Sequence, residues 1–182
     1  MLRPSLALLV VAAALAALSG VDATVVATCM AAANGDRRVN YEFCVSELSK
    51  HRDSPDADTW GLAKVAANVG VNNAGAAIND MQALLAKAAP PPPDARTRDG
   101  LRRCEKLYYD MELTFAGAYD EINARNYTAG KQKAADAASL VRQCDGGFAE
   151  AGLLPPEPLA RRGAYTVQIA IICTAITNLI KP

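Results

Sequence analysis

Residues that carry chemistry are few in this chain. Its 182 residues hold one histidine, one tryptophan and three phenylalanines, and Lys plus Arg equals Asp plus Glu at 19 each. That balance leaves no net field to draw the chain toward nucleic acid or an anionic membrane. The single histidine, His51, falls in a polar segment predicted to be a linker. No nucleophile stands at a recognisable spacing from it, and it reads as a solvated side chain. Gly-x-Ser-x-Gly, His-Glu-x-x-His, Gly-x-Gly-x-x-Gly and Walker loops are all missing. The closest carboxylates, Asp110/Glu112 and Asp120/Glu121, do not form helical pairs at i, i+3 or i+4. The five cysteines lack zinc-ligand spacing. The chain is therefore not expected to be an enzyme, and nothing in it calls for a metal or a cofactor. Scarce aromatics argue against sheets, whereas abundant alanine suits helices packed at close range.

Long hydrophobic runs are also missing, except at the N-terminus. Arg3 supplies a positive start, Leu6 to Leu18 is an unbroken run of 13 Leu, Val and Ala residues, and Val21-Asp22-Ala23 offers small residues for cleavage. The run is too short for a stable membrane span and reads as a secretory signal peptide over 1–23, cut after Ala23. The mature domain then covers 24–182 and sits in an oxidising compartment where disulfides persist. No retention or vacuolar signal is recognisable at the C-terminus, so the extracellular space (apoplast, cell wall) is the expected destination, with the vacuole left open.

The pattern from Leu101 to Phe148 organises the rest. Leu101, Cys104, Leu107/Tyr108, Met111, Phe115, Ala118 and Ile122 recur every three or four residues, as do Ala134, Ala137/Ala138, Val141, Cys144, Phe148 and Ala151. Each set lies on one face of a helix. A polar break, Asn123 to Thr128, separates them. If the chain reverses there, Cys104 and Cys144 come level. Upstream, Cys29 and Cys44 flank the turn signal Asn34-Gly35-Asp36 in a predicted pair of short helices, Thr24–Ala33 and Val39–Leu48. Three pairings of these four cysteines are possible. Neighbour with neighbour is chosen, because each pair then brackets one predicted turn. The loop-entropy picture values the two closures at about 3 and about 4 kcal/mol. Cys173 lies on an apolar face and reads as a buried free thiol.

The whole pattern predicts an all-α fold: an up-and-down four-helix bundle with helices near 58–88, 97–124, 128–152 and 158–180, preceded by an N-terminal helical hairpin, with two disulfides. Asp58 or Thr59 caps the first long helix, whose apolar stripe slips by half a turn at Gly70-Val71, signalling a close crossing or a slight bend. The prolines at 90–93 stop it and read as a stiff connection. Pro158 suits the first turn of the last helix.

These residues together carry a resemblance. Cys29 with Val39-Asn-Tyr-Glu-Phe-Cys44-Val-Ser-Glu-Leu48, then Leu101-x-x-Cys104-Glu-x-Leu107-Tyr108-x-Asp110, then Cys144-Asp-x-x-Phe148-x-Glu150, resembles the plant invertase and pectin methylesterase inhibitor family, closest to its pollen-allergen-like branch of invertase inhibitors. The resemblance spans essentially the whole mature chain. It implies a four-helix bundle with an N-terminal hairpin, and disulfides joining first to second and third to fourth cysteine. It further implies 1:1 binding over the active site of a plant cell-wall enzyme, pectin methylesterase or acid invertase. Invertase inhibitors of the better-known branch are similar in using a Pro-Lys-Phe motif in the turn between the two central helices. Here that turn reads Arg125-Asn126-Tyr127-Thr128, with Lys131 one turn later, and the motif is missing. The same turn holds the chain's one Asn-x-Ser/Thr sequon, making Asn126 a candidate glycosylation site.

The expected partner contacts are Tyr109, Tyr127 and Lys131. Tyr108 reads as core, and Asp110 as satisfying a neighbouring helix. The other function class is a secreted helical binding module without inhibitor activity, holding a small apolar ligand or another partner, or serving a storage or signalling role. The ligand-holding reading expects a cavity lined by Met111, Phe115, Ile169 and Ile172, against which the alanine content argues.

Overall fold

The computed structural model describes residues 24–86 and 93–181. The expected signal peptide (1–23), Pro90 to Pro92 of the proline connection, and the end of the helix expected to reach 88 lie outside the described residues. Six helices follow one another: α1 (24–35), α2 (Tyr41–Ser49), α3 (Thr59–Leu85), α4 (Ala95–Asn123), α5 (Tyr127–Glu150) and α6 (Glu157–Leu179), with no strand among the described residues. Three of the starts are capped by a side-chain oxygen that accepts a backbone N–H. Asn40 accepts from Phe43 at 3.0 Å, Asp58 from Gly61 at 2.8 Å and Asp94 from Thr97 at 2.8 Å. Pro158 sits in the first turn of α6, where its missing N–H has no helical partner to lose.

Each long helix packs on the next, and α6 closes the ring on α3. Contacts across the bundle fix the alternating directions. Trp60 at the start of α3 donates its indole N–H to the Ile122 carbonyl at the end of α4 (2.9 Å), while Gln82 near the end of α3 reaches Glu105 early in α4 (2.9 Å). The fold class read from the sequence, a four-helix bundle with an N-terminal hairpin and two disulfides, is the one observed. Cys29–Cys44 ties α1 to α2 with Cα atoms 5.8 Å apart, and Cys104–Cys144 ties α4 to α5 at 5.0 Å.

Core packing explains the slipped stripe in α3. An added Cβ at Gly70 would stand 2.5 Å from the ring of Phe115, so the glycine admits that ring against the α3 backbone. The half-turn slip marks a close crossing, made by α4. Alanines 63, 66, 67, 74, 77, 118, 134 and 137 are fully buried, as are Met111, Phe115, Ile169 and Ile172. Those four large side chains are closed into the core, and the surface grooves are lined by other residues. A ligand-holding cavity of the expected kind is not favoured. Cys173 is a buried free thiol whose Sγ faces the Ala63 carbonyl at 3.7 Å, and burial pushes it up to about 12.

The N-terminal hairpin is fastened to α6. Tyr165 donates its hydroxyl to Glu47 (2.7 Å) and meets the Phe43 ring edge-on at 4.9 Å. Gln168 accepts from the Asn40 backbone N–H at 3.3 Å. Between hairpin and bundle, residues 50–58 form a ladder of turns around the buried Ser54, which donates to the Leu48 carbonyl at 2.6 Å. Two expectations need correction. His51 is not solvated: its side chain is 14% exposed and lies 3.0 Å from the Asn68 amide. Asp110 is exposed, and its carboxylate joins no neighbouring helix, because position 110 falls outside the buried stripe.

Candidate partner-binding surface

No three His, Cys, Asp or Glu side chains gather at a metal-binding distance among the described residues. What the bundle offers is surface, and α4 offers the most structured part of it. Its inward stripe from Leu101 to Ile122 is buried, which leaves Arg102, Lys106, Tyr109, Leu113 and Asp120 aligned along the opposite, exposed side at helical spacing. Leu113 is 71% exposed and Tyr109 47%. They lie one turn apart, an apolar pair in the middle of a polar helix face. Tyr109 is also held in place: its hydroxyl accepts from Gln82 of α3 at 3.2 Å, and the same amide donates to Glu105.

The balance of charge on α4 changes along its length, from mainly basic before Tyr109 to acidic after it. Arg96, Arg98, Arg102, Arg103 and Lys106 outnumber Asp99 and Glu105 in the first half. Asp110, Glu112, Asp120 and Glu121 occupy the second, with no Lys or Arg from 107 to 124. This order runs against the helix dipole, which favours acids near the N-terminus and bases near the C-terminus. Only the Asp94 cap works with the dipole at the start. A helix that places charge against its own dipole gains nothing in stability from doing so, but it acquires a polarised face.

The three residues expected at the partner contact do not converge. Tyr109 is on the α3–α4 side. Tyr127 opens α5, partly buried, its hydroxyl accepting from Arg125 at 3.2 Å. Lys131 reaches across to Asn178 of α6 at 2.8 Å. Asn126 is exposed in the α4–α5 turn, where Arg125 takes a positive φ of 64°.

Sequence reasoning missed Leu113 and the groove beside it. The signal for Leu113 was a large apolar residue two positions out of phase with Met111 and Phe115. The groove, about 850 Å³, runs between the 50–58 turns, α3 and α4, with Trp60, Lys64, Tyr119 and Asp120 among its walls. The Lys64 ammonium lies 3.4 Å above the centre of the Trp60 ring, and the Arg125 guanidinium 5.0 Å from it.

A family model described as plant invertase/pectin methylesterase inhibitor matches residues 23–176. A rice (Oryza sativa subsp. japonica) protein named pectinesterase inhibitor 8 is 59% identical over 162 residues, covering 89% of this chain and 86% of that one. A Platanus acerifolia protein provisionally named an invertase inhibitor is 27% identical over 154 residues, covering 84% and 83%. Among solved structures, a mutant form of a pectin methylesterase inhibitor from Arabidopsis superposes with a TM-score of 0.65 at 15% identity, over 78% of this chain and 91% of that one, a likeness of fold.

Proposed function

The chain belongs to the plant invertase/pectin methylesterase inhibitor family, and from that membership we propose that it is a secreted protein inhibitor of pectin methylesterase that binds the enzyme 1:1 with a side of its bundle. Members of this family inhibit enzymes and are not themselves enzymes. The observation that carries the side-on reading is the outward face of α4. An apolar pair, Tyr109 and Leu113, sits where the mainly basic first half of α4 gives way to its acidic second half, which is the anatomy of a binding patch with an apolar anchor and charge around it. The hydrogen bond from Gln82 holds the Tyr109 ring before the partner arrives, lowering the entropy lost on binding. The polarised charge orients the approach and sets the register.

Acid invertase is the weaker candidate. The α4–α5 turn lacks Pro-Lys-Phe, and Lys131, the lysine closest after it, is engaged with Asn178. The 59% identity to a pectinesterase inhibitor against 27% to a protein provisionally assigned to invertase points the same way. In this reading Tyr109 and Leu113 touch the enzyme, and Tyr127 and Lys131 do not. The extracellular wall space is the proposed site of action.

The deciding experiment titrates the oxidised protein, beginning at Thr24, against a plant pectin methylesterase and a plant acid invertase in parallel between about pH 4 and 7. Loss of pectin methylesterase activity near 1:1 is expected. Loss of invertase activity alone, or of neither, would overturn the proposal.

A further inference from the structure

We propose that Asn126 carries an N-linked glycan that covers the α4–α5 end of the bundle. The inference rests on the secretory reading of residues 1–23 and not on which enzyme is bound. Asn126-Tyr127-Thr128 is the one Asn-x-Ser/Thr sequence in the chain. The fold places Asn126 at the end of the α4–α5 turn and Thr128 in the first turn of α5, both exposed.

A second feature distinguishes this asparagine. It occupies the position before the first residue of α5, where an Asn side chain ordinarily accepts a backbone N–H from the first turn. Asn40, Asp58 and Asp94 do this at the starts of α2, α3 and α4; Asn126 makes no such bond. Backbone bonds close the turn: the Asn126 N–H donates to the Glu121 carbonyl at 2.8 Å and its own carbonyl accepts from Gly130 at 3.0 Å. The side-chain amide faces outward, its nitrogen donating to Glu121 Oε2 at 3.0 Å. A glycosylated amide keeps one of its two hydrogens and with it one donor. No cap or core contact has to be given up.

Transfer draws on a lipid diphosphate-linked oligosaccharide of the secretory compartment. The Asn126 Nδ2 forms a bond to the anomeric carbon, the bond from that carbon to the phosphate oxygen breaks, the lipid diphosphate leaves with the electron pair, and Nδ2 releases one proton. The sugar then stands beside Arg125 and Tyr127. Through Arg125, whose guanidinium is 5.0 Å from the Trp60 ring centre, it overhangs the mouth of the groove containing Trp60. Leu113 lies about 15 Å from that helix's end at 1.5 Å per residue, so the middle of α4 is set back from the attachment point.

The test uses wild type, Asn126→Gln and Thr128→Ala, all secreted from plant cells. Intact masses are read before and after peptide N-glycanase. Wild type should exceed its polypeptide mass by whole hexose and N-acetylhexosamine units, and both variants should lose the excess. Trp60, the chain's one tryptophan, reports coverage: acrylamide should quench its fluorescence more strongly in the variants. Secreted wild type at its bare polypeptide mass would overturn the modification even if it inhibits pectin methylesterase. Equal quenching with and without the sugar would overturn the covering. A glycosylated protein that inhibits nothing would uphold this site while removing the proposed function.

Discussion

Replacing Leu113 with aspartate tests the side-on contact most directly, because the residue has no other evident task. At 71% exposure it has little to lose in the folded monomer, so the melting temperature should stay close to that of wild type. Its whole effect should appear on binding. Fully burying a leucine is worth about 1.5–3 kcal/mol. Scaling by the fraction still exposed leaves about 1–2 kcal/mol available to an enzyme that covers it, a loss of roughly 5- to 30-fold in inhibition constant on truncation to alanine. Aspartate adds the desolvation of a new carboxylate in the middle of the patch, beside Asp110 and Glu112, and should weaken binding beyond the alanine value. The assay is a tight-binding titration of pectin methylesterase with wild type, Leu113→Ala, Leu113→Asp and Lys131→Ala, accompanied by thermal melts. The expected order of inhibition is wild type and Lys131→Ala together, then Leu113→Ala, then Leu113→Asp. If Leu113→Asp inhibits as well as wild type while folding normally, α4 does not face the enzyme and the argument from its exposed stripe is refuted.

Two further outcomes follow from the packing. Gly70→Ala gains helix propensity worth roughly 1 kcal/mol, yet its methyl would meet the fully buried Phe115 ring at 2.5 Å. Overpacking costs about 1–3 kcal/mol and should outweigh that gain, leaving a net loss of up to about 2 kcal/mol seen as a lower melting temperature; no drop would mean that the ring can move aside. The second outcome concerns acid. Burial raises the Glu47 carboxyl, but hydrogen bonds from Lys50 and Tyr165 outweigh it and hold the group below its ordinary 4.5. A depressed carboxyl stabilises the folded state above the unfolded pKa, and the contribution is lost as pH falls through the folded value. Thermal melts taken from neutral pH down through that range should therefore show a shallower acid limb for Glu47→Gln than for wild type, and matching limbs would contradict the role of Glu47 in fastening the hairpin to α6.

Much of this architecture is local and could be read from the chain. The stripe from Leu101 through Cys104, Tyr108, Met111, Phe115 and Ala118 to Ile122 is buried throughout. A period of 3.6 is set by neighbours within one or two turns and needs no knowledge of what lies opposite. Turn signals work over the same range, which is why the two reversals bracketed by cysteines, at Asn34-Gly35-Asp36 and after Asn123, were legible, and with them the pairing. The candidate contacts were harder. Tyr109 was chosen as the exposed member of Tyr108-Tyr109-Asp110, and Tyr127 and Lys131 for standing in or next to the turn between the two central helices, and neither criterion can say to which side of a closed bundle each one turns.

What the sequence determined by itself was the helical class, the number and approximate limits of the elements, the paired cysteines and the family. Each rests on periodicity, composition or short-range order. Only the tertiary structure decided which outward face is free, because that depends on how each helix is rotated about its axis. The exposure of Leu113 was not legible for this reason: an apolar side chain out of phase by two positions is covered or exposed according to whether another helix packs there, and among the described residues none covers it. The links between Tyr165 and Glu47, Trp60 and Ile122, and His51 and Asn68 join residues 118, 62 and 17 positions apart. They exist because Gly70 lets α3 and α4 approach closely and because the hairpin docks on α6, and no window of neighbouring residues contains that information.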